Sequence, residues 1–90
     1  MARLEIDDLL AEASCLINGS RNEQYGDYED NWIRIGELWG SLLDIEPIPP
    51  HIVGTMLAAM KLSRIVSNPK HADNYVDAIA YIAGSGAITS

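Results

Sequence analysis

The stretch that decides the fold is Lys61 to Tyr81, KLSRIVSNPKHADNYVDAIAY. It reads as the end of one helix, a tight Asn68-Pro69 break, and the start of another. Proline has no backbone N–H and biases the residue before it away from helical geometry, so the helix must stop there. Lys61, Arg64 and Asn68 stand at i, i+3 and i+7 and share one face of the first helix. Asn74, Asp77 and Tyr81 repeat that spacing on the second. Folding back about residue 70 or 71 sets Arg64 opposite Asp77, Lys61 near Tyr81, and Asn68 near Asn74. Buried charge without a partner is strongly destabilising. Two such ladders therefore satisfy one another, with an Arg64–Asp77 pair fixing the register, or they hold a charged ligand.

Outward from this hairpin, two more helical segments are readable and strand alternation is absent. The first helix is expected from about Ile6 to Asn18, with Asn18-Gly19 as its stop. A polar loop, Ser20 to Glu29, leads to a second helix starting near Asp30. Trp32, Ile35, Trp39, Leu42 and Leu43 form that helix's apolar stripe. Pro47, Pro49 and Pro50 forbid its continuation, and Pro49-Pro50 suit the first turn of the third helix. Asp73 is the expected N-cap of the fourth, with Gly84 and Gly86 ending it. Small residues on the third helix (Gly54, Ala58, Ala59) and the fourth (Ala78, Ala80, Ala83) allow close backbone approach. The expectation is an all-α, four-helix bundle-like domain over residues 1–90, with an antiparallel third/fourth helix hairpin.

Ninety residues, 48% of them hydrophobic, make one small domain. Domains of this size often complete their core by oligomerising, so a homodimer or larger assembly is expected. The net charge of −7, from 13 acidic and 6 basic residues, argues against DNA or anionic membranes as partners. It leaves room for a local basic pocket, because Lys61, Arg64, Lys70 and His71 cluster in sequence. Cys15 is the single cysteine, so no intrachain disulfide and no CxxC metal site can form. The N-terminus MARLEIDDLL lacks the apolar core of a signal peptide, and no apolar run is long enough to span a membrane. A cytoplasmic setting is expected.

Three groups could carry chemistry. On the Lys61/Arg64/Asn68 and Asn74/Asp77/Tyr81 face, the cations can hold phosphate oxygens while Asn and Tyr read a base or sugar. The loop from Arg21 to Trp32, RNEQYGDYEDNW, offers Arg21, Tyr25 and Tyr28 around Gly26, which permits positive φ; either tyrosine could stack on a base. Against this stands a solvated connection whose tyrosines cover the core. Asp27, Glu29 and Asp30, or Asp73 with Asp77, could contribute to a Mg²⁺ site. For these acids, capping and solvation are the competing roles. His51 and His71 make no zinc-binding spacing. No GxGxxG, P-loop or GxSxG motif occurs.

The pattern Arg21-x₃-Tyr25-Gly26, then Asn31-Trp32, then K-x₂-R-x₃-N-P-x-H-x-DN-x₂-D-x₃-Y over Lys61 to Tyr81, resembles a family of small phage- and prophage-encoded proteins without an established activity. It is similar, more weakly, to the nucleotide-modification-associated domain of phages. More distantly it resembles the all-α NTP pyrophosphatases of the MazG type, which hold Mg²⁺ with EExxE and ExxD motifs. Only the second motif has an echo, Asn74-Tyr75-Val76-Asp77, with Asn in place of Glu, and EExxE is absent. The resemblance implies a phage accessory protein that binds a nucleotide or another phosphate-bearing ligand. Arg21, Tyr25, Tyr28, Lys61, Arg64, Asn68, Asn74, Asp77 and Tyr81 would form the site. The alternatives are an accessory factor that docks on a host protein and a degenerate Mg²⁺-dependent pyrophosphohydrolase. A single pocket built from the loop and the hairpin is expected in the first case.

Overall fold

A computed structural model describes residues 4–20 and 27–90, and among them every regular element is helical. α1 is Ile6–Cys15, α2 Tyr28–Leu43, α3 Pro50–Ser67 and α4 Ala72–Thr89. α1 does not run on as an α-helix to Asn18. It widens at Leu16–Ser20 into a π-helical turn. Within that turn, the Asn18 side-chain amide turns back and donates to the Ser14 carbonyl at 3.1 Å. Such a side-chain bond to the preceding turn competes with the regular backbone ladder, in keeping with the departure from α geometry there.

α2 starts two residues earlier than the sequence suggests. Asp27 is the residue that caps it, its carboxylate accepting from the Glu29 N–H at 3.4 Å. At its other end Asp44 takes the left-handed conformation, φ 58°, and the Ile45 N–H reaches back to the Gly40 carbonyl at 2.9 Å. Left-handed Asp is tolerated at such a C-terminus because its short side chain bonds locally. The chain then lies flat on α2, and the Ile48 N–H donates to the Gly36 carbonyl at 3.1 Å. That contact needs glycine. A Cβ on Gly36 would strike the Ile48 carbonyl, and one on Gly40 would sit 2.8 Å from the Glu46 carbonyl oxygen. Pro50 in the first turn of α3 then starts that helix without a side-chain cap, as expected of proline there.

α3 and α4 are the most extensive pair, and α4 also receives α1 while α3 receives α2. The core is a wedge. Trp32 of α2, 3% exposed, drives between Gly54 of α3 and Gly84 of α4 and packs with Val53, Ala58 and Tyr81. A Cβ on Gly54 would lie 2.7 Å from Trp32 Cη2, and one on Gly84 2.9 Å from the same atom. Tyr28 meets Trp32 edge-on at 4.9 Å between centroids, and Tyr81 lies tilted against it at 6.2 Å. Truncating such a wedge costs about 3–5 kcal/mol. A second cluster, Ala13, Val76 and Ala80 with Leu9, Leu16 and Ile79, seats α1 on the other side of α4.

Gly84 and Gly86 do not end α4, which continues to Thr89. Burial of Gly84 against Trp32, Tyr28 and Ile17 offsets the conformational cost of glycine within the helix. Asp73 is not the N-cap either. His71 holds that position and makes no side-chain cap bond, while Asp73 lies in the exposed first turn.

Candidate functional site

The bend between α3 and α4 sets the register of every polar residue on the hairpin. α3 ends at Ser67 and α4 begins at Ala72, so the fold-back axis lies between Pro69 and Lys70. Asn68 donates its N–H to the Arg64 carbonyl at 2.8 Å, and the Tyr75 hydroxyl donates to the Pro69 carbonyl at 2.7 Å, which together fasten the turn. This axis is about one residue earlier than the one inferred from sequence, and every partner shifts with it.

The expected Arg64–Asp77 pair is therefore corrected. Asp77 meets Lys61, with Nζ 3.0 Å from Oδ2 and the two side chains 15% and 14% exposed. Tyr81 falls one turn deeper, in the cluster with Ala58 and Trp32. An interhelical ion pair does fix the hairpin, but through lysine, and Arg64 is left exposed near the helix end.

Arg64 there lines a cleft of ≈ 340 Å³ together with Ser63, Ser67, Asn68, His71 and Asn74. Three of the predicted site residues, Arg64, Asn68 and Asn74, are thus brought together. Asn74 is 5% exposed, yet among the described residues its carboxamide makes no hydrogen bond. Its amide atoms are not among the fully buried unpartnered ones, so they reach the solvent of the cleft, where water or a ligand can bond them. The guanidinium of Arg64 supplies five donors and fixed positive charge, and His71 adds a ring nitrogen. The N-terminus of α4 ends at the same cleft, adding the positive end of an 18-residue helix. Arg64 is the fixed cation among the lining residues, and the exposed Asp73 carboxylate in the first turn of α4 lies 4.0 Å from His71 Nε2.

Ser63 and Ser67 were not singled out from sequence, whereas His71 was counted there in a local basic pocket. Their signal is position: each lies within about one helical turn of the bend, where the two ladders must converge. A larger concavity, ≈ 510 Å³, lies against Leu4 to Asp8, but it is lined by Glu5, Asp7 and Asp8 and repels anions.

Arg21 and Tyr25 lie outside the described residues. Tyr28 is described, and its hydroxyl donates to the Gly84 carbonyl at 3.3 Å. Burial, followed by the Asp27 and Glu29 carboxylates, pushes its phenol above the ordinary 10.0. Asn74, Asp77, Tyr81 and Gly84 follow one another on one face of α4, so Tyr28 sits about 15 Å along the helix from Asn74. Tyr28 is therefore a core and packing residue at the opposite end of the ladder from the cleft.

Among the described residues, no three His, Cys, Asp or Glu side chains converge as a metal site requires. Asp27 serves α2 as its cap, and Asp77 is engaged with Lys61. No helix among the described residues is long and apolar enough to cross a membrane.

The family model Domain of unknown function (DUF6378) matches residues 8–89, and the chain belongs to that family. It is 36% identical over 73 residues to the Gene 55 protein of Mycobacterium phage L5, covering 81% of this chain and 47% of that protein. To the Gene 55 protein of Mycobacterium phage D29 it is 32% identical over 75 residues, covering 83% of this chain and 49% of that protein. The chain thus spans about half the length of the curated relatives it matches. No solved structure matches it significantly.

Proposed function

We propose that this member of the DUF6378 family is a phage accessory domain that binds a nucleotide or a nucleotide-like, phosphate-bearing ligand at the bend of the α3–α4 hairpin. The observation that carries the reading is Asn74: a carboxamide on a 5% exposed residue, facing a ≈ 340 Å³ cleft beside Arg64 and His71. The volume falls within the range of about 300–1,000 Å³ typical of small-molecule sites. Arg64 and the α4 N-terminus take the phosphate, the carboxamide of Asn74 reads donor and acceptor groups of a base or sugar, and Asn68 and Ser67 close the rim. Lys61 and Asp77 hold the floor in register without touching the ligand themselves.

On the distant resemblance to the MazG-type enzymes, Asn74-x-x-Asp77 would take the place of their ExxD. With Asn at the first position and Asp77 neutralised by Lys61, the element keeps a polar recognition edge and lacks the charge needed to hold Mg²⁺. Binding is therefore favoured over pyrophosphohydrolysis.

A thermal-shift screen of inorganic phosphate, nucleoside mono- and triphosphates and cyclic dinucleotides, with and without Mg²⁺, tests the reading. A ligand at about 100 times its Kd raises stability by about 2.7 kcal/mol. At least one phosphate-bearing compound stabilises the wild type and fails to stabilise Arg64→Gln. Equal shifts in both proteins, or none from any compound, overturn the proposal.

A further inference from the structure

We propose that the outer face of α3 is the docking surface for a second copy of this chain, packed antiparallel across a two-fold axis at Ala59. The face is apolar and uncovered: Ile52, Met56, Leu62 and Val66 are 40%, 42%, 56% and 85% exposed. Thr55, Ala59 and Ser63 lie exposed between them. The charged residues of the helix, Lys61 and Arg64, belong to the opposite side, toward Asp77 and the cleft.

The chain carries more exposed surface than a compact monomer. The chain exposes 6111 Å². A compact monomer of its mass, 9.8 kDa, exposes about 5,200 Å² by the surface scaling of folded monomers. The excess is roughly 900 Å², and the apolar face of α3 shares it with exposed residues of α2 such as Leu38, Leu42 and Leu43. The radius of gyration of 14.0 Å is likewise above the roughly 12 Å expected of a compact chain of this length. Among the described residues the largest fully buried side chain is a valine, Val53.

The sequence of the face selects the partner. An isologous antiparallel contact pairs each residue with its mirror about the axis. About Ala59 the mirrors are Ile52 with Val66, Thr55 with Ser63, and Met56 with Leu62, so each residue meets one of its own chemistry. Ala59 at the centre lets the two helices approach to about 8 Å. Charge favours the same direction. Asp44 and Glu46 precede α3 and Lys70 follows it, all exposed, with His71 facing Asp73, so antiparallel copies bring the acidic end of one toward Lys70 of the other. A parallel pair would stack like on like.

Sedimentation equilibrium and cysteine cross-linking decide it. The wild type sediments at twice 9.8 kDa. Ala59→Arg, a change at an exposed position, sediments at the monomer mass with an unchanged far-UV helical spectrum. In a Cys15→Ser background, the double variant Ile52→Cys/Val66→Cys forms an intermolecular disulfide on mild oxidation, whereas each single variant does not. A monomeric wild type overturns the proposal and leaves the face to a different protein. So does Ala59→Arg remaining dimeric, or a single cysteine variant cross-linking as a parallel pair would.

Discussion

Lys61 on α3 and Asp77 on α4 stand 3.0 Å apart, Nζ to Oδ2, and their pairing releases Arg64 from the interior of the hairpin. The pair sits where a one-residue change in the fold-back axis would have put Arg64 against Asp77 instead. A register that assigns lysine to structure leaves the guanidinium, with its five donors, beside Asn74 at the cleft. On the proposed function, structure and recognition are divided between two cations one helical turn apart.

Lys61→Ala should destabilise the fold by about 1–3 kcal/mol, because it removes this partner from a mostly buried carboxylate that retains some water contact. Arg64→Ala should change stability by no more than about 0.5 kcal/mol, as expected at an exposed position. Urea melts of the two variants measure the difference. Equal losses would mean that both cations are structural.

Gly84 and Gly86 should respond oppositely to alanine. A Cβ on Gly84 lies 2.9 Å from Trp32 Cη2, 3.1 Å from Tyr28 Cε2 and 3.2 Å from Ile17 Cδ1, whereas nothing lies within 4 Å of one on Gly86. Gly84→Ala should cost about 1–3 kcal/mol through overpacking. Gly86→Ala should gain up to about 1 kcal/mol from helix propensity. Thermal melts that rank the two the other way would contradict the Trp32 wedge.

Much of this fold was legible from sequence because it rests on strong local signals. Pro69 forces the hairpin, the prolines around Pro49 separate α2 from α3, and the Trp32 stripe has helical period. What was misread depends on tertiary contact. Gly84 looks like a helix stop, and only the ring of Trp32 explains why a helix keeps it. Asp73 resembles a cap in isolation, but the turn closed by Tyr75 on the Pro69 carbonyl starts α4 at Ala72. That small shift in the bend exchanged Lys61 for Arg64 as the partner of Asp77. The polar ladders themselves were visible, whereas their register depends on the bend and could not be read from spacing alone.

Tyr28 should impose an alkaline limit on stability. Its phenol titrates above 10.0 in the folded chain, chiefly because it is desolvated. In the unfolded chain it ionises first, so the folded state holds more protons in this window and stability falls as pH rises from about 10 toward the folded value. Below that range the contribution is complete and flat. Tyr28→Phe should lose about 0.5–1.5 kcal/mol at neutral pH with the bond to the Gly84 carbonyl, and should remove its part of the alkaline slope. Unfolding measured from neutral to strongly alkaline pH checks both effects, and an unchanged slope would show that Tyr28 is not its source.

Asn74→Ala should separate binding from folding. The residue is 5% exposed, but its carboxamide bonds no described residue, so removing the amide should shift stability by less than about 1 kcal/mol. It should weaken the ligand by about tenfold, the effect of losing about 1.4 kcal/mol of hydrogen bonding. Calorimetric titration paired with a melt tests this, and a large stability loss would make Asn74 a structural residue.

The most direct measurement follows the Asn74 side-chain amide by heteronuclear NMR while a nucleoside triphosphate is titrated into the wild type. Binding at the hairpin bend predicts that the Asn74 side-chain resonances and the backbone amides of His71 to Asn74 shift together and saturate. It also predicts that they remain still in Arg64→Gln. Saturable binding that moves other resonances while those of Asn74 stay fixed would contradict the site.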